Sequence, residues 1–368
     1  MKNPDNQPAP ALKELFDIAR LRHIAIETKA VFPAFDAGLF LERTQVEYDN
    51  LPLMQRLHRV TQSLHEFLPN DYEKTLAVLR QLAPRLNNKF VTLILPHYVA
   101  LYGAEHFDVS LDALKFFTCF GSSEYAVRHF LQRDLEKTLN VMTAWSMDKN
   151  EHVRRLASEG CRPRLPWSFH LEALRANPEP VAPIIQNLMA DPSLYVRKSV
   201  ANHLNDIAKD HPAWVLDRLD SWDTQDANTA WIVKHGLRTL IKKGDQRALA
   251  LIGATGEAAV AVANFSVNPG TIRLGDEIVI SFGITSTSIE AQRLVIDYAI
   301  HYIKKTGLAS AKVFKIKTVA LNPGESLTIQ RRQSIRNFTT REHYFGMHKI
   351  ELIVNGKCVA DTGFNLVP

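Results

Sequence analysis

Cysteine is scarce in this chain. Only Cys119, Cys161 and Cys358 occur among 368 residues, an odd and scattered set without C-x-x-C spacing. Neither a disulfide framework nor a zinc site is indicated, and reduced structural thiols are expected. Long apolar runs are also missing: no stretch approaches the roughly 18 apolar residues of a membrane span. Residues 1–10 are polar and proline-rich without an apolar signal core, so they read as a flexible N-terminus and the chain as cytoplasmic. No P-loop, dinucleotide fingerprint, H-E-x-x-H helix or G-x-S-x-G elbow is present, and the 14 histidines show no ligand spacing.

What is present describes an ordinary globular chain, 46% hydrophobic with a mean hydropathy of -0.14. The net charge of +5 is unevenly spread. Residues 1–258 carry 31 Lys+Arg against 31 Asp+Glu, whereas 259–368 carry 13 against 8. A neutral larger part with a basic appendage is compatible with a polyanionic partner.

From about Ala11 to Ala254 apolar residues recur at three- and four-residue spacing, with short Pro-, Asn- or Asp-marked breaks, which predicts helix almost throughout. A small unit recurs within it: Tyr125-Ala-Val-Arg-His, His152-Val-Arg-Arg, Tyr195-Val-Arg-Lys and Ile232-Val-Lys-His. The valines at 127, 153, 196 and 233 are separated by 26, 43 and 37 residues. Irregular spacing of this size fits degenerate HEAT-like helix pairs, each burying its apolar face on the next. In Asp191–Asp206 the pattern turns Val196, Val200, Leu204 and Ile207 to the core and places Lys198, Asn202 and Asp206 on an exposed stripe. After Gly253-Ala-Thr-Gly256 the period becomes alternating, as in Glu277-Ile-Val-Ile-Ser-Phe-Gly-Ile and Arg293-Leu-Val-Ile-Asp-Tyr-Ala-Ile, with turns at Asn322-Pro-Gly and Asn355-Gly. The expected architecture is a right-handed α-solenoid of HEAT-like repeats over residues 11–256, then an immunoglobulin-like β-sandwich over 257–368.

The densest chemistry lies in Glu151-His-Val-Arg-Arg-Leu-Ala-Ser-Glu-Gly-Cys-Arg-Pro-Arg-Leu-Pro-Trp167. Val153, Leu156, Ala157 and Gly160 recur at helical spacing, which puts Arg155 and Glu159 four residues apart on the opposite, solvent-facing stripe. Arginines, a carboxylate and a tryptophan then crowd one helix end and its Pro-broken exit.

Val-Arg-Lys helices combined with the Ala157-Ser-Glu-Gly-Cys-Arg-Pro-Arg-Leu-Pro-Trp167 string resemble the AlkC branch of the AlkC/AlkD alkylpurine DNA glycosylases, some of which append an immunoglobulin-like domain. The resemblance implies a monofunctional glycosylase without lyase activity. It would act as a monomer, without metal or cofactor, removing cationic bases of the 3-methyladenine class from duplex DNA. Tyr195–Pro212 is also similar to an AlkD-branch helix that carries an active-site tryptophan, but the matching position here is Asn202, which favours the AlkC reading with Trp167 supplying the aromatic surface.

A base alkylated at a ring nitrogen already carries positive charge and departs without a general acid; what remains is to stabilise charge on the sugar, which a carboxylate does. Glu159 is the first candidate, Glu124 and Asp206 the others, with Trp167 against sugar or base. An i,i+4 ion pair for Glu159, a helix-start role for Glu124 and a bond from Asp206 to Lys209 are the plain structural alternatives. Arg154, Arg155, Arg162, Arg164, Arg197, Lys198 and Asn202 are candidate DNA contacts, and Lys315 and Lys317, alternating onto one strand face, form a second set with neighbours including Arg341. The remaining tryptophans, Trp145, Trp214, Trp222 and Trp231, sit in helical patterns and are expected in the core. The competing functional readings are a noncatalytic HEAT-repeat DNA binder and a protein-interaction scaffold.

Overall fold

A computed structural model describes residues 12–254, 257–337 and 342–368. The N-terminal ten residues, the expected domain boundary at Gly256 and Arg341 lie outside the described residues. The chain divides into two compact units, one running to Asp210 and the other from His211 to Pro368. The change from helix to strand falls inside the second unit.

The first unit is helical among its described residues. It contains α1 (Ile18–Val31), α2 (Ala37–Gln45), α3 (Leu53–Phe67), α4 (Tyr72–Leu82), α5 (Ile94–Tyr102) and α6 (Phe107–Phe117). These are followed by α7 (Glu124–Arg133), α8 (Leu135–Trp145), α9 (Glu151–Gly160), α10 (Glu172–Ala176), α11 (Ala182–Asn187) and α12 (Leu194–Ile207). The repeat valines do what their spacing requires: Val127, Val153 and Val196 are buried, as are Leu156, Val200, Leu204 and Ile207. Each such side chain contributes about 1.5–3 kcal/mol on burial. Gly160 lets α9 approach its neighbours, because a Cβ there would sit 2.5 Å from Val127 Cγ1 and 3.1 Å from Met142 Cε. Asn150 starts α9 by accepting from His152 N at 2.9 Å.

The second unit opens with α13 (Pro212–Leu219), α14 (Ala227–Gly236), α15 (Arg238–Lys242) and α16 (Gln246–Leu251). Strands β1 (Val260–Asn268), β2 (Thr271–Arg273), β3 (Glu277–Ser286), β4 (Gln292–Ile303), β5 (Ala309–Leu321), β6 (Ser326–Ser334), β7 (Gly346–Val354) and β8 (Lys357–Val367) follow. They form a three-stranded sheet, β1-β3-β6, and a five-stranded sheet, β2-β8-β7-β4-β5. Pairing is antiparallel except between β2 and β8. Ile280, Phe282 and Ile284 of one sheet meet Leu294, Ile296, Tyr298 and Ile300 of the other in the apolar interior, giving the expected immunoglobulin-like sandwich. Asn355 and Gly356 both adopt positive φ, 46° and 80°, as the two-residue turn between β7 and β8 requires.

The tryptophan expectation needs correcting. Trp145 and Trp222 are buried, but Trp214 and Trp231 are only half-buried. Polar neighbours explain this: Arg218 lies over the Trp214 ring at 4.4 Å, and His235 stacks on Trp231 at 3.7 Å.

The outward residues of β4 are themselves covered: Val295, Asp297 and Ala299 are buried. At the turn after α15, a Cβ on Gly244 would come within 2.9 Å of Gly356 O, so this turn lies against the β7–β8 turn of the sandwich. Burial pushes the Asp297 carboxyl up to about 6, with Lys315 and Lys242 opposing the rise. Its pKa is thus raised on folding, so the native state is favoured below the ordinary value of 3.8 and loses stability as pH rises through about 6. Replacing Asp297 by Asn should therefore leave the unfolding free energy unchanged near pH 3.5 and raise it by roughly 1–3 kcal/mol at pH 7.5. Urea denaturation at the two pH values measures this.

Candidate active site

Six charged side chains form a connected ladder in the first unit. Glu124 begins α7, Arg155 and Glu159 lie on α9, Arg162 follows α9 directly, Asp206 closes α12 and Lys209 lies just beyond it. Arg155 bonds the Glu124 carboxylate and sits 3.5 Å from Glu159 Oε1. Arg162 donates to Glu159 Oε1 at 2.6 Å and, through Nε and an Nη, to Asp206 Oδ2 at 2.9 and 2.7 Å. Lys209 Nζ donates to Asp206 Oδ1 at 2.9 Å. Three carboxylates thus alternate with three cations, and the ladder is neutral overall.

Burial decides what this arrangement means. Glu124, Glu159, Arg162 and Asp206 are each less than one-tenth exposed. Arg155 and Glu159 therefore do not line a solvent-facing stripe, and Asp206 does not face solvent as the α12 pattern predicts. The polar stripe of α9 is covered by α7 and α12, which is tolerable because each charge meets its opposite. Lys198 remains exposed and Asn202 half-buried.

Serines complete the ladder. Ser122 Oγ donates to the Glu124 carboxylate and accepts from Arg155 at 2.8 Å, while Ser199 Oγ donates to Glu159 Oε2 at 2.6 Å. The Arg155 guanidinium lies over the Tyr195 ring at 5.3 Å. Both oxygens of Glu159 and of Asp206 are engaged, whereas the bonds of Glu124 run through Oε2. Burial raises the Glu124 carboxyl above its ordinary value, against the lowering effect of Arg155.

A second buried arginine shapes the loop beyond α9. Arg128 is fully enclosed and donates to the carbonyls of Gly160, at 3.0 Å, Arg162, at 2.7 Å, and Phe169. It ties the α9 C-terminus to the Arg-Pro-Arg-Leu-Pro-Trp loop and thereby fixes Arg162. At the tip of that loop Trp167 holds a positive φ of 65° and is 68% exposed. A non-glycine residue in the left-handed region that presents a bare indole to solvent is an uncommon combination.

The other candidates are placed as follows. Arg154 makes a bidentate pair with Asp191, at 2.6 and 3.1 Å, and Arg164 a similar pair with Asp210, at 2.6 and 3.0 Å. Arg197 donates to the carbonyls of Asp191 and Pro192. Lys315 and Lys317 belong to the second unit, exposed on the outward face of β5 with Ile316 between them turned to the core. Sequence reasoning missed Ser122, Ser199 and the clamp made by Arg128. The serines carry no signature beyond proximity to a charged helix position, and Arg128 lies one residue beyond the repeat valine Val127, on a side the spacing gives to solvent.

Residues 110–240 match the family described as DNA alkylation repair enzyme, and residues 261–368 match the C-terminal Ig-like domain of the uncharacterised protein YhaZ. Helical repeats with the first match and a sandwich with the second define a two-part protein of the DNA alkylation repair class. The chain is 42% identical over 347 residues to YhaZ of Bacillus subtilis (strain 168), covering 94% of this chain and 96% of that one. It is also 54% identical to Pseudomonas fluorescens alkylpurine DNA glycosylase AlkC, solved bound to DNA containing an abasic site analog. That match has a TM-score of 0.95 and covers 98% of this chain and all of the other. The chain belongs to the AlkC family of alkylpurine DNA glycosylases.

Because Arg162 compensates two buried carboxylates at once, truncating it to Met strands both. Arg162→Met should lower the unfolding free energy by about 3–5 kcal/mol, the usual cost of breaking a buried pair. A loss below about 1 kcal/mol by denaturant titration would show the ladder to be solvated, as exposed pairs are.

Proposed function

We propose that this protein excises cationic alkylated bases of the 3-methyladenine class from double-stranded DNA. It would do so as a monofunctional, metal-independent glycosylase that hydrolyses the N-glycosidic bond. The observation that carries the reading is the buried ladder itself: three carboxylates held in fixed positions by arginines and serines, beside a loop that exposes an indole. A phosphate-binding surface alone has no use for buried acids, whereas a sugar acquiring positive charge does.

Chemically, the cationic base leaves with the bonding electrons and becomes neutral, so no acid needs to protonate it. The sugar is left oxocarbenium-like and is stabilised by negative potential from Glu159, the centre of the ladder, with Asp206 behind Arg162. Fixed dipoles and charges in a water-poor site act strongly because they need no reorganisation as the reaction proceeds. Water then adds to the anomeric carbon and releases one proton. Glu124 suits this role, with its bonds made through one oxygen, Oε2, and a carboxyl whose proton affinity burial has increased. Trp167 supplies an electron-rich face for the sugar and the cationic base.

Duplex DNA would be held through phosphates, for which Lys198 is the exposed cation on α12, with Arg154, Arg155, Arg162, Arg164, Arg197 and Asn202 around it and Lys315 and Lys317 in the sandwich as further contacts. The arginines already paired to carboxylates shape the surface more than they neutralise phosphate. We assign residues 11–256 as the glycosylase domain and 257–368 as the accessory sandwich.

Purified protein with methylated duplex DNA and EDTA should release free 3-methyladenine, separable by chromatography, and leave intact abasic strands. Strand scission without added base, or loss of release in EDTA, would overturn the monofunctional, metal-free reading. The single-turnover rate should fall on acidification with a midpoint above 4.5, the ordinary carboxyl value for Glu124, because burial raises that group. In Glu124→Gln this limb should vanish.

A further inference from the structure

The second unit holds a cleft unrelated to the carboxylate ladder. It has a volume of about 470 Å³ and is lined by Thr224, Gln225, Trp231, Lys234, Ile252 and Arg293, among others, with no carboxylate in its wall among the described residues. The cations come from different elements, Lys234 from α14 and Arg293 from β4. Lys315 of β5 adds a third positive charge close enough to act on Lys234. Burial lowers the Lys234 pKa, and the charges of Lys315 and Arg293 lower it further. His235 is held below its ordinary value by the same burial and by Lys234, Lys315 and Arg238. Asp297, a buried acid that interacts with Lys315 and Lys242, offsets part of this charge but is not among the residues that line the cleft. Where the ladder balances every charge, this cleft concentrates one sign beside an indole.

We propose that this cleft is a phosphate-binding site, with Lys234 and Arg293 holding one phosphodiester of a nucleic-acid strand and Trp231 forming the wall for the adjoining sugar or base. The inference rests on the proposed action on DNA. Phosphate is the anion that suits two converging cations of different shape, a guanidinium fork and an ammonium point charge. Thr224 and Gln225 add neutral hydrogen-bonding groups, and the volume accommodates more than one phosphate, as a nucleotide segment requires. Binding would also relieve the repulsion that lowers Lys234.

The test uses the full chain and undamaged duplex DNA, with affinity measured by fluorescence anisotropy over a range of KCl. Lys234→Gln and Arg293→Gln should each reduce the slope of log affinity against log salt by about one, while Lys243→Gln, an exposed lysine outside the cleft, leaves it unchanged. The Lys234→Gln protein alone should melt no lower than wild type, since the change removes repulsion, which separates lost binding from lost folding. Unchanged slopes in proteins that still release base overturn the phosphate site and leave the glycosylase reading standing. Wild-type protein that releases no base, with slopes that do change, overturns the glycosylase reading alone. If inorganic phosphate or a mononucleotide raises the melting temperature of wild type but not of Lys234→Gln, and duplex slopes do not move, the cleft serves free phosphate compounds and the nucleic-acid assignment is overturned.

Discussion

The Arg162 guanidinium between Glu159 and Asp206 is the contact on which the first unit depends. A carboxylate at that depth has lost most of its contact with solvent and needs an opposite charge and hydrogen bonds in its place, which Arg162 supplies to both. Two conditions keep Arg162 there. Arg128, itself enclosed, grips the carbonyls of Gly160, Arg162 and Phe169, and Gly160 permits the close approach of α9 to α7 and α8. The loop that ends in the exposed Trp167 is therefore anchored by the same residues that fix the ladder. Packing, electrostatics and the proposed chemistry share one set of atoms.

The two units treat charge in opposite ways. In the first, acids and bases are buried in alternation and cancel, which holds each group in position. In the second, Lys234, Arg293 and Lys315 gather without a carboxylate among the described residues of the cleft wall, and a buried acid, Asp297, is shared between Lys315 and Lys242. Such a surplus is worth less to the free protein than to a complex with a polyanion, because screening by salt or by phosphate removes the repulsion. The sequence asymmetry, neutral before residue 259 and basic after it, points the same way.

Much of this was legible in the chain. Repeat valines at 127, 153 and 196 reported the helical core, and the switch to alternating residues after Gly256 reported the sandwich, because periodicity follows directly from which face is buried. The residue types of the site were legible too: Glu124, Arg155, Glu159, Arg162 and Asp206 do meet. Their burial was not legible. A polar stripe on a helix reads as solvent-facing unless another polar stripe covers it, and α12, about 40 residues away in sequence, supplies that cover through Ser199 and Asp206. Trp231 shows the converse: its helical position suggested the core, but Lys234 and His235 on the same helix keep its edge at a cleft.

If a positioned carboxylate, rather than grip on DNA, makes the ladder catalytic, removing its charge must slow base release without loosening binding. Glu159→Gln keeps the shape and removes the charge. Affinity for DNA and single-turnover base release, measured on the same preparation, should diverge: affinity within a few-fold of wild type and release slower by roughly one to three orders of magnitude. Equal rates in variant and wild type, or losses of rate and affinity in step, would exclude this role for Glu159.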